Sequence, residues 1–150
     1  MKDLNLKRAI GFSVLFYIVS FILFALMSVV FGTSIDTKPN EIPLLQCIVY
    51  LLSLIPAILV CAKWYFRKFQ PSTQRGVLLG IVALIVSCVF DLVLVTTSMP
   101  DGGGIEMLGS LYTDWKFFAT IVILVGTSAY AGFEFDRTYT FEEGALRKKN

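Results

Sequence analysis

The sequence contains no histidine. Imidazole-ligated haem, histidine-based zinc sites and Ser-His-Asp catalysis are thereby excluded. Cysteine is scarce: Cys47, Cys61 and Cys88 are the only three, and no C-x-x-C spacing joins them. That pattern argues against a quinone-linked thiol oxidase and fits isolated, buried apolar thiols. No Gly-x-x-x-x-Gly-Lys segment is present to cradle a phosphate, and the run Gly102, Gly103, Gly104 has no basic residue after it. Charge is scarce too, at 16% of the residues against 56% hydrophobic, and the mean hydropathy of +0.74 is far from that of a water-soluble domain.

The apolar residues are gathered into long runs. Segments 9–31, 43–62, 76–97 and 115–133 contain 23, 20, 22 and 19 residues, and their only charged members are Asp91 and, at the mouth of the last, Lys116. At about 1.5 Å per residue each reaches roughly 28 to 35 Å, enough to cross a hydrocarbon layer about 30 Å thick. A soluble helix of this length needs a polar face, which these segments lack. The first run is too long for a cleaved signal peptide and has no small-residue cleavage site. The expected fold is therefore all-α, a left-handed antiparallel bundle of four transmembrane helices over residues 1–133, followed by a short cytosolic tail over 134–150.

The basic residues fix an orientation for that bundle. Lys2, Lys7 and Arg8 precede span one, Lys63, Arg67, Lys68 and Arg75 separate spans two and three, and Arg137, Arg147, Lys148 and Lys149 follow span four, which makes eleven of the 13. Basic residues are retained on the cytoplasmic side during insertion, so both termini and the central loop are expected inside. An even number of spans requires the same arrangement. Lys63, Trp64, Tyr65, Arg67, Lys68 and Arg75 then form an inner-interface anchor that can also attract anionic lipid head groups, and nucleic acid is not the expected partner.

Local signals complete the outline. Pro56 in "LSLIPAILV" lacks an N–H and is expected to free the Leu52 carbonyl and bend span two. Residues 98–114, with Pro100 and three glycines, are expected to be a mobile outer connector. In the tail, Thr140 with Glu143 three residues on is a candidate capping box opening a short separate helix.

Span three carries the one acid inside a run. Gly76, Gly80, Ala83, Ser87 and Asp91 recur at steps of four, three, four and four, so they share one helical face. Small residues along that face let a neighbouring backbone approach closely. Asp91 is thereby expected to point into the protein, away from lipid, where an ionised carboxylate would cost at least about 2.5 to 3.5 kcal/mol. It lies about 9 Å below the outer end of its helix. Taking spans two and four as its neighbours, the residues expected at that level are Tyr50 and Thr120, with Gln46 a turn further out, Ser87 a turn inward, and Lys116 as the nearby cation. Those six residues form the candidate site for a substrate or proton. Burial there favours a protonated acid and pairing with Lys116 a carboxylate.

The stretch "KWYFRKFQPSTQRGVLLG", followed by an acid in the same span, resembles small uncharacterised four-span membrane proteins of prokaryotes. The resemblance covers about a third of the chain; it implies a cytoplasmic-membrane address and no activity. The length is also similar to that of small multidrug transporters, but their essential acid lies in the first span and span one here has none. Two functions follow from the residues, while a third class, a membrane-embedded enzyme using Asp91 and Tyr50, lacks a second catalytic group. The first is a non-enzymatic bundle that associates with its own copies or with a partner membrane protein. The second is a small proton- or cation-coupled transporter centred on Asp91. Neither calls for a cofactor.

Overall fold

The computed structural model describes residues 5–33, 37, 41–67, 71–98 and 103–147, those from 136 onward by backbone alone. Its helices are α1 (Leu6–Phe31), α2 (Leu44–Phe66), α3 (Thr73–Ser98), α4 (Gly103–Thr113) and α5 (Trp115–Arg147). No strand occurs among the described residues. Four of the helices are long and apolar enough to cross a membrane: Leu6–Phe31, Leu44–Phe66, Thr73–Thr97 and Trp115–Phe135. The fold is all-α, and the chain reads as a multi-pass membrane protein.

Side-chain exposure supports lipid as the surrounding medium. Val29, Val60 and Val122 are 80%, 70% and 71% exposed, positions that water would penalise and hydrocarbon does not. The core is instead a narrow seam of Phe12, Phe16, Leu54, Ile58, Tyr65, Leu79, Ala83 and Leu124.

The order of the helices around that seam differs from the simplest up-and-down arrangement. α1 packs on α2 and α3, and α5 packs on α2 and α3, so α2 and α3, although consecutive in the chain, face each other across the bundle. The α3–α5 contact is the most extensive, and it is built from small residues. At Gly76 a Cβ would strike the Ser128 carbonyl and the Ala129 Cα, and at Gly80 it would fall 2.9 Å from the Val125 Cα. Gly132 of α5 faces back towards Gly76, its own Cβ position 3.3 Å from the Gly76 Cα. The small-residue face of span three, with Ala83 fully buried, is therefore consumed within the chain.

The helix ends follow local chemistry. Asn5 caps α1, its Oδ1 accepting from the Arg8 N–H at 3.2 Å. At the other end Gly32 takes φ 67°, a left-handed turn that glycine adopts without strain, and Thr33 N–H donates to the Ser28 carbonyl at 2.9 Å. α2 continues through Pro56 as one helix.

Two expectations fail in instructive ways. Within residues 98–114 the chain forms α4, because Met107, Leu108 and Leu111 recur at helical spacing and give it an apolar face, with Leu108 buried. Thr140 does not begin a helix: α5 runs unbroken to Arg147, since no proline interrupts it after span four and Gly144 weakens a helix without stopping it.

The seam makes a direct prediction. Gly76→Ala should destabilise the bundle by about 1 to 3 kcal/mol, because the added methyl meets backbone atoms that cannot rotate away. Gly126→Ala, on the same pair of helices but with nothing near its Cβ position, should be neutral. Unfolding titrations in mixed micelles compare the two.

Candidate functional site

The end of the bundle that carries α4 is the end where α1 and α3 finish and α2 and α5 begin. Between the four long helices there lies a cavity of about 330 Å³, roofed by Met107, Leu108 and Leu111 of α4. Its size is at the low end of ordinary small-molecule pockets, about 300 to 1,000 Å³. Most of its wall is apolar or aromatic, including Phe16, Phe21, Phe24 and Phe117. All six residues of the expected site, Asp91, Tyr50, Gln46, Ser87, Thr120 and Lys116, line it, along with Tyr17 and Ser20.

The hydrogen bonds, however, are not those the sequence suggests. Asp91 is half-buried, and its Oδ1 accepts from the Tyr17 hydroxyl at 2.9 Å. The Tyr17 ring stacks on Phe90 of α3, with centroids 5.0 Å apart, so the donor is held by packing as well as by its bond. Tyr50 pairs with the Ser20 hydroxyl at 2.7 Å, and its ring meets Phe24 edge-on. Gln46 is buried and bridges α2 to the end of α1, accepting from the Thr33 hydroxyl at 3.0 Å and donating to Ser28 Oγ at 3.4 Å. Lys116 Nζ donates to the Ile42 carbonyl oxygen at 3.3 Å. Thr120 bonds back to the Lys116 carbonyl, and Ser87 Oγ is buried with no hydrogen-bond partner among the described residues.

The cause of the difference is helix order. With α2 across the bundle from α3, the side chains of α1 are the ones that reach Asp91, and Tyr17 takes the place expected for Tyr50. The signal in the sequence is the one tyrosine of the first span, and it is hidden as long as consecutive helices are assumed to be neighbours.

α4 is tied to the cavity wall as well as to its roof. Tyr112 packs on Phe117, centroids 4.7 Å apart, and its hydroxyl lies near the Cys88 thiol. Burial, and then the Cys88 contact, hold the Tyr112 phenol above its ordinary range, so it stays neutral. Asp114 starts α5 by accepting from the Lys116 N–H at 2.9 Å.

The residues expected at the opposite interface are divided by the structure. Trp64 and Arg67 stand at the surface beside Lys7 and Arg8 of α1, and Lys63 is exposed. Tyr65 is instead fully buried, edge-on to Phe12 and Phe66, because its position on α2 faces the seam. Arg75 is half-buried near the start of α3, and Lys68 lies outside the described residues.

No group of three or more Cys, Asp or Glu side chains placed to hold a metal occurs among the described residues. Comparison with known proteins finds no matching family model, no similar curated protein and no similar solved structure.

The Tyr17–Asp91 bond can be isolated by a mutant cycle. Tyr17→Phe should cost about 0.6 to 1.7 kcal/mol of bundle stability, the range for hydrogen bonds between membrane helices. In an Asp91→Leu background the same change should cost nothing. An equal cost in both backgrounds, read from unfolding in mixed micelles, would assign the effect to ring packing instead.

Proposed function

We propose that this protein is a non-enzymatic small-molecule carrier of the cytoplasmic membrane, with both termini cytosolic, which binds an apolar amine in its outer chamber and exchanges it for a proton at Asp91. The observation that carries the reading is that the acid opens on a cavity of about 330 Å³ when it could have been packed dry against neighbouring helices. Tyr17 occupies Oδ1 of the carboxyl group, and no other hydrogen bond to Asp91 is formed within the described residues.

The cavity lining suggests the ligand class. Aromatic rings from Phe16, Tyr17, Phe21, Phe24, Tyr50 and Phe117 line the cavity together with a single acid. Rings of this kind attract a cation through their faces while burying its hydrocarbon part, and the carboxylate supplies the charge-assisted bond that orients it. Proton and ammonium group cannot both occupy the same carboxylate, and this mutual exclusion is the minimum requirement for exchange. Assembly with other membrane helices gains less support, because the face of Gly76 and Gly80 is already filled by α5.

Phenethylamine and its uncharged isostere propylbenzene provide the test. The purified protein should bind phenethylamine, and Asp91→Asn should weaken that binding about tenfold or more, the worth of a hydrogen bond to a charged group. Propylbenzene binding should be unchanged by the substitution. Amine affinity should also rise with pH through the titration of Asp91, because protonation removes the acceptor, and should be flat in Asp91→Asn below the amine's own titration. Equilibrium dialysis in detergent reads all of these; indifference of the amine to Asp91→Asn would overturn the proposal.

A further inference from the structure

At the end of the bundle away from α4, a second concavity of about 720 Å³ lies between the start of α1 and the end of α2. Lys7, Arg8 and Arg67 surround it, with Trp64 and Gly11 as its apolar side. We infer that this cleft binds the phosphate head group of an anionic phospholipid, whose acyl chains run along the apolar surface beneath it. The inference is independent of the chamber around Asp91.

Three features converge on that ligand. The first is electrostatic: the first turn of α1 contains no acid and holds both Lys7 and Arg8, so two cations sit at the positive pole of their own helix. Such an arrangement is unfavourable by itself and is relieved by an anion. The second is geometric. The Arg8 guanidinium lies over the Trp64 ring, 4.9 Å from its centroid, and Nη2 donates to the Trp64 carbonyl oxygen at 3.3 Å. The charge is thereby fixed across the α1–α2 junction, while Lys7 and Arg67 stand exposed on either side.

The third feature separates a lipid from a free anion. Val60 lies one turn from Trp64 on the same face of α2, and Ile10 lies one turn from Lys7 on the same face of α1. Both are exposed. An apolar strip therefore continues from the cationic cleft along the spans, so one ligand would need a negative head and long hydrocarbon tails. Inorganic phosphate would use the head site and leave the strip uncovered.

Trp64 serves as a reporter inside the cleft. Replacing the only other tryptophan, Trp115→Phe, leaves its emission alone. The full chain is reconstituted in phosphatidylcholine bilayers containing either brominated phosphatidylglycerol or brominated phosphatidylcholine, and quenching is followed against the fraction of brominated lipid. Phosphatidylglycerol should quench at several-fold lower fractions. Lys7→Gln and Arg67→Gln, both at exposed positions, should each reduce that preference roughly fivefold or to equality, following the usual contribution of one cation near an anionic surface. Equal quenching by the two lipids in the parent protein would overturn the inference, as would an undiminished preference in the folded double variant. Release of the quenching by millimolar inorganic phosphate would also overturn it, assigning the cleft to free anions.

Discussion

The backbones of α3 and α5 meet without side chains between them, and the rest of the architecture depends on that contact. In a bilayer there is little hydrophobic drive to join one apolar helix to another, so association rests on close packing and on polar groups finding partners. Gly76, Gly80 and Gly132 supply the packing. With α5 locked to this face of α3, the same face cannot turn to lipid, and Asp91, three and four residues at a time further along it, is carried into the interior. The acid's position follows from glycines more than ten residues away.

Once α3 is fixed by α5 on one side, α1 closes the other and α2 completes the ring opposite α3. Polar side chains then pair where helices cross: Tyr17 with Asp91, Ser20 with Tyr50, and Gln46 with Ser28 and Thr33. The first joins α1 to α3, and the other two join α1, or the turn after it, to α2. α1 is apolar on nearly every side, and these polar contacts give it an orientation that hydrophobicity alone does not. The cavity lies among these pairs, and α4 covers it.

The amino-acid pattern reveals much of this and misses a specific part. The four spans are legible because hydrocarbon thickness sets a minimum run of apolar residues, and the inward face of α3 because steps of three and four define one side of a helix. Asp91 and the five residues expected around it do line one cavity, since depth along a helix can be counted. Which of them bonds to the acid could not be counted, because the order of helices around a bundle is a long-range property that short loops leave open. Tyr17 is not legible from depth alone for that reason. α4 is obscured by the glycines that open it, Gly103 and Gly104, whose freedom suggests a connector, although Met107, Leu108 and Leu111 outweigh it by covering the cavity. At the other end, Trp64 and Arg67 are close in sequence, one turn apart on a helix, but only folding brings Lys7 and Arg8 to them.

Whether position 91 faces the protein interior can be measured directly. In a chain with Cys47, Cys61 and Cys88 changed to alanine, nitroxide labels are placed by Asp91→Cys and, separately, by Val93→Cys, a position exposed on the same helix. Collision with dissolved oxygen, which concentrates in hydrocarbon, distinguishes lipid-facing from interior labels. The account requires low oxygen accessibility at 91 and high accessibility at 93. Equal, high accessibility at both would place Asp91 against lipid and contradict it.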